Sequence, residues 1–212
     1  MKSKFTKRDF RKYAKHEAGH AVHYVLTFHE PFEYVWSQHS HDAVPDDGTA
    51  RGGKVADGKV LGGAVVRTPG QQLVCTTFDL IQQYMAGVAG ERIARKKPGK
   101  LDFYTILSGA NGDFHAALEA IKESNEKGLS KWVITDNDKY MNDALAAAWR
   151  RLQAHKAAHA EVTRLLLERG RLTYEEVKKI VWDDVERMAT SRSIVKMGIR
   201  GVEEELQNET FD

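Results

Sequence analysis

The chain has 212 residues, 42% of them hydrophobic and 29% charged, which suffices for one domain with its own core or one domain plus a helical extension. Its 32 basic and 30 acidic residues nearly cancel, so no global field selects nucleic acid as a partner; the one cysteine, Cys75, excludes an internal disulfide and a four-thiolate metal site. No apolar run reaches the roughly 18 residues of a membrane span, and no apolar stretch follows the charged N-terminus, so the sequence expects a soluble, cytoplasmic protein without a signal peptide.

Basic residues crowd the segment from Lys2 to Lys15, with only Asp9 against them. The pattern reads as a solvated arm or first helical turn, or else as a contact for an acidic partner, membrane or RNA surface. Residues 6 to 29 read as a helix, because Ala14, Ala18, Ala21, Val22 and Val25 recur at three- and four-residue steps and Pro31 follows. Residues 32 to 38 are aromatic and β-branched and predict a strand. The Gly-, Asp- and His-rich stretch 39 to 59 predicts a long loop, and Leu61 to Arg67 a second short strand. Gly53 to Lys59 matches the opening of a phosphate-binding loop. Val60 then stands where Ser or Thr must hold Mg²⁺, and a strand follows instead of a helix, so the segment reads as a plain loop. Further helices are expected over about 73 to 96, 113 to 128, 137 to 168 with Gly170 as its stop, and from the Thr173–Glu176 capping box to about 190. The fold is expected to be mainly α with a small β-sheet near residues 32 to 68.

His16-Glu17-Ala18-Gly19-His20 carries the chemistry. On a helix, residues four apart are offset by about 40° around the axis and about 6 Å along it, so both imidazoles reach one metal ion. Glu17 lies about 100° round from His16, beside the metal, where its carboxylate can act as general base on a water activated by zinc. The motif falls on a face that excludes the alanine and valine stripe. His23 shares the His16/His20 face and reads as a partly exposed polar residue, or as a group supporting the site or its substrate. One more ligand is needed, and the downstream histidine of the longer H-E-x-x-H-x-x-G-x-x-H pattern is replaced by Leu26. The candidates are Glu91, Asp102, Asp113, His39, His41, His115, His155 and His159. His155 and His159 have helical metal spacing but no adjacent glutamate, and read as a solvated face.

In order along the chain, Tyr13 to Val22, Gly62 to Val66, Ala86 to Ala94, Ser108 to Asp113 and Leu172 to Glu176 resemble the peptidase domain of the FtsH-type ATP-dependent zinc proteases. The resemblance covers residues 10 to 185 and implies a helical zincin-type peptidase domain over 1 to 190, followed by a partly disordered tail, 191 to 212. It implies zinc ligands His16, His20 and Asp113, with Glu17 as catalytic base. Glu91 would support the site or the fold. Gly62, Gly63, Ala64 and Val65 would form the strand edge that binds substrate. The family carries a transmembrane anchor and an AAA+ ATPase ahead of this domain, whereas Met1 stands fifteen residues before His16. The expectation is therefore a zinc-dependent endopeptidase acting on short or unfolded polypeptides without its own ATPase. A separate ATPase or a homo-oligomer would be its partner, with neither nucleic acid nor a membrane span. The competing expectations are an inactive FtsH-like metal-binding adaptor and, further off, a surface-binding helical protein using the basic arm.

Overall fold

The computed structural model describes residues 7–28, 31–37, 62–66, 75–101 and 111–208. The loop 39 to 59, the Gly53–Lys59 pattern and the candidates His39, His41 and Asp102 lie outside them. In chain order the elements are α1 (Lys7–Phe28), β1 (Tyr34–Ser37), β2 (Gly62–Val66), α2 (Thr77–Glu91), α3 (Asn111–Lys127), α4 (Asn137–Ala154), α5 (Lys156–Arg169), β3 (Arg171–Thr173) and α6 (Tyr174–Asn208). The protein is mainly helical with one small sheet, as expected from the sequence. None of the described helices is long and apolar enough to cross a membrane.

Helix α1 is the axis of the molecule. It packs against α2, α5, both β1 and β2, and α6. The sequence suggests one buried stripe and a free motif face, but every residue from His16 to Val25 is buried. Most of the polar face is buried because His16, His20 and His23 find hydrogen-bond partners inside the protein. Gly19 sets how closely α2 crosses. A Cβ there would run into the main-chain carbonyl oxygen of Ala86 and come within 3.1 Å of the Gly90 Cα. Around this crossing Ile81, Met85, Leu145, Leu152 and Leu166 form the core. Each such side chain contributes about 1.5–3 kcal/mol when fully buried.

The sheet has three antiparallel strands in the order β2-β1-β3. Tyr34 pairs with Val66 on one side and Thr173 on the other, with an irregularity in the β1–β2 register between Tyr34 and Trp36. Strand β3 is absent from the sequence reading. It is only three residues long, and its alternation of exposed Arg171, buried Leu172 and exposed Thr173 hides between two helices.

Several helix boundaries differ from expectation for identifiable reasons. Helix α2 starts at Thr77 because Thr76 and Asp79 form a reciprocal capping box, with Asp79 N–H donating to Thr76 Oγ1 at 3.1 Å. It stops at Glu91 because the Arg92 guanidinium donates to the carbonyls of Pro98 and Lys100, at 2.8 and 3.1 Å, and holds the following chain off the helix axis. The expected helix 137 to 168 is two helices, α4 and α5, broken at His155, whose ring bonds Asp184 of α6 at 3.0 Å. The last helix opens with the predicted Thr173–Glu176 box and runs to Asn208, past the end expected near 190 and into the segment expected to be a loose tail.

Candidate metal centre

Helices α1 and α2 face each other through matching four-residue steps. Gln83, Gly87 and Glu91 form one face of α2, and His20 and His16 one face of α1. The Gln83 carbonyl therefore meets His20 Nδ1 at 2.8 Å, and Glu91 Oε1 meets His16 Nδ1 at 2.8 Å. Gly87 lies beneath both rings, where a Cβ would come within 2.5 Å of His16 Cε1 and of His20 Nε2. Helix α3 supplies the third group. Asp113 sits in its first turn, where the helix dipole favours a carboxylate, and its Oδ2 lies 2.9 Å from His16 Nε2 and 3.2 Å from His20 Nε2. Helix α3 begins at Asn111, so Asp113 is inside the helix and is not its N-cap.

The two Nε2 atoms are 3.2 Å apart, which closes a triangle with Asp113 Oδ2. A tetrahedral ion with ligand bonds of about 2.0–2.1 Å has ligand-to-ligand edges of about 3.3 Å. The triangle is thus the size of one face of such a coordination sphere. The hydrogen bonding points the same way. A backbone carbonyl and a carboxylate can only accept, so both Nδ1 atoms carry their protons. In neutral rings both Nε2 lone pairs then converge with the carboxylate on one point, and three acceptors meeting there call for a cation. Without a metal, a proton takes that role. Burial disfavours the charged His16 ring, but its bonds to Asp113 and Glu91 outweigh this and raise its pKa well above the ordinary value. Burial likewise acts to raise the Asp113 carboxyl, yet the His20 and His16 partners hold it well below the usual carboxylate range. Among the described residues, His16, His20 and Asp113 are the one group of at least three His, Cys, Asp or Glu side chains arranged to hold a metal ion.

Glu17 is buried beside these rings, and its Oε2 has no hydrogen-bond partner. Burial raises its pKa to about 7, against the charges of His16 and His20, which lower it. In the unfolded chain the same carboxyl titrates near 4.5. Between these values the folded state keeps a proton that the unfolded state has released. The stability tied to that proton is complete below pH 4.5 and is lost as pH rises through 7. Glu17→Gln is therefore expected to leave the stability of the metal-free protein unchanged near pH 4.5. Above pH 7 it should raise stability by up to roughly 3 kcal/mol, read as the difference in urea midpoints under chelator. A difference that does not vary with pH contradicts this account.

The remaining candidates lie elsewhere. Glu91 orients His16 and also pairs with Lys12 of the basic segment at 3.5 Å. His115 is exposed. His159, expected on a solvated face, is buried and donates from Nε2 to the Lys15 carbonyl at 3.0 Å; with His155 on Asp184, the pair forms no metal site. His23 is neither exposed nor part of the His16–His20–Asp113 triangle. It is fully buried against Gln83 and Arg151. Strand β2 carries the expected substrate segment, Gly62 to Val65, and pairs with β1 at the margin of the sheet. Sequence reasoning missed Gln83. The only available signal was its place four residues before Gly87 and eight before Glu91, on one helical face.

Comparison with models of known protein families and with curated proteins returns no match to this chain. The functional reading rests on the geometry of the site and on the motif.

Proposed function

We propose that the protein is a zinc-dependent endopeptidase that hydrolyses peptide bonds in short or unfolded polypeptides, in the manner of the FtsH-type peptidase domain its sequence resembles. The observation that carries this reading is the convergence of His16 Nε2, His20 Nε2 and Asp113 Oδ2, within 2.9–3.2 Å of one another, beside a buried carboxyl that has no partner at Oε2. Two imidazoles and one carboxylate form a donor set suited to zinc with an open position. Zinc held there supplies Lewis acidity, lowering the pKa of a coordinated water and polarising a carbonyl.

The chain's own groups supply the rest. Glu17 Oε2 accepts a proton from the attacking water and returns it to the leaving amine. Burial raises the Glu17 carboxyl in the metal-free site, and zinc beside it would act in the opposite direction and favour the carboxylate that accepts the proton. Glu91 and the Gln83 carbonyl hold the two imidazoles with their Nε2 atoms facing the site. An extended peptide would add to β2 along Gly62–Val65 by main-chain hydrogen bonds, on the side away from β1.

The test is casein or an unstructured peptide library incubated with zinc-loaded protein. Cleavage is expected, with its loss on chelation and its return on adding zinc. Zinc-loaded protein that leaves every peptide intact would sink the peptidase reading and favour a metal-binding adaptor.

A further inference from the structure

We propose that Gln83 is a positioning residue of the metal centre, held in a single orientation by a hydrogen-bond chain that starts at Arg151 and runs through His23 to His20. This inference rests on the reading of His16, His20 and Asp113 as a metal site. It goes beyond that reading by assigning Arg151 of α4 and His23 near the end of α1 a share in orienting a ligand to which neither is hydrogen-bonded.

The chain of bonds has one direction. Arg151 of α4 has one guanidinium nitrogen 3.3 Å from His23 Nε2 and 2.6 Å from Thr27 Oγ1, and the Thr27 hydroxyl donates to the His23 carbonyl at 2.7 Å. On the other side of the ring, His23 Nδ1 is 2.9 Å from Gln83 Oε1. The Gln83 amide nitrogen donates to the His20 carbonyl at 3.1 Å, and the Gln83 main-chain carbonyl accepts from His20 Nδ1 at 2.8 Å. Gln83 thus grips His20 at two points, by its side chain at the ligand's backbone and by its backbone at the ligand's ring.

The two ends fix the polarity. Arg151 can only donate, and the His20 carbonyl can only accept. Arg151 therefore requires a lone pair on His23 Nε2, which puts the proton on Nδ1, where it meets Gln83 Oε1. Turning the Gln83 amide over would set its oxygen against the His20 carbonyl. It would also force the His23 proton onto Nε2, against a guanidinium that cannot accept it. A charged His23 ring would likewise present a donor to Arg151. Burial, with the Arg151 charge adding to it, lowers the His23 pKa to about 4, so the ring is neutral at pH 7. An apolar residue at 23 would leave the Gln83 amide free to rotate, and the hold on His20 would loosen with it. Outer partners of this kind set ligand orientation and typically contribute about 10–100-fold to metal affinity.

The experiment measures zinc affinity by competition with a chromophoric chelator, and the visible spectrum of the cobalt-loaded protein, in the full chain. Gln83→Met and His23→Phe are each expected to weaken zinc by about 10–100-fold and to change the cobalt spectrum. Arg151→Met, at a half-buried position, is expected to act in the same direction more weakly. His23→Gln can accept from Arg151 and donate to Gln83, and is expected to recover the wild-type affinity and spectrum. His155→Ala breaks a part-buried bond to Asp184 that lies outside this hydrogen-bond chain and is expected to lower the unfolding midpoint alone. Wild-type zinc affinity and cobalt spectrum in Gln83→Met overturn the proposal. If that variant does not fold, the same result in His23→Phe or Arg151→Met overturns it. Wild-type protein that takes up neither zinc nor cobalt fails the metal reading itself, and the positioning role falls with it. Normal metal uptake by the wild type with no response in the variants removes only the positioning role.

Discussion

Glu17→Gln is expected to bind zinc as the wild type does and to lose peptide hydrolysis by about 10²–10⁴-fold. The amide has the size of the carboxyl, and Glu17 Oε2 makes no hydrogen bond in the resting site, so the substitution breaks no bond at that atom. What it removes is the capacity to take up a proton. The three proposed ligands are untouched, because His16, His20 and Asp113 are held by Glu91, Gln83 and one another. A purely structural Glu17 would give the opposite pattern. Replacing a buried carboxyl by a neutral amide would then be harmless, and hydrolysis would continue at the wild-type rate. Zinc content and initial rates on one unfolded substrate, measured on the same preparation, separate the two cases.

Gly87→Ala is expected to weaken zinc binding about 10- to 100-fold, although residue 87 offers no ligand. An added methyl would lie 2.5 Å from His16 Cε1 and from His20 Nε2, well inside van der Waals contact, with ring atoms of both proposed ligands. Either the rings turn away from Asp113, or α2 moves off α1 and takes the Gln83 carbonyl and Glu91 with it. Overpacking of this kind costs about 1–3 kcal/mol, and each 1.4 kcal/mol expressed in binding is about tenfold. Gly112→Ala is the control, since a Cβ there meets nothing within 4 Å. Equal zinc affinity in Gly87→Ala and wild type would mean that the rings do not lie over Gly87 as described.

The candidate metal-binding motif is legible in the sequence because its logic is local. Four-residue spacing, a flanking glutamate and an alanine–valine stripe all lie within α1. The burial of His16 to Val25 on every side is not legible, because it depends on Gly19 admitting α2 and on partners more than sixty residues away, such as Gln83 and Arg151. Asp113 could be narrowed only to one of eight candidates by residue chemistry, and the resemblance singled it out. Its approach to His16 is a contact between the start of α3 and the middle of α1 that no periodicity encodes. The break at His155 is similarly hidden. Gln153 to Ala158 contains neither glycine nor proline, and the interruption coincides with a tertiary bond from His155 to Asp184. Strand β3 is too short to carry a period, and it exists because β1 has a side left to pair.

Metal analysis of the wild-type protein beside Asp113→Ala, purified without added metal and then equilibrated with limiting zinc, tests the centre itself most directly. The account predicts about one zinc per wild-type chain and little or none in Asp113→Ala, with the variant otherwise folded. Equal zinc in the two proteins, or none in the wild type, would contradict it.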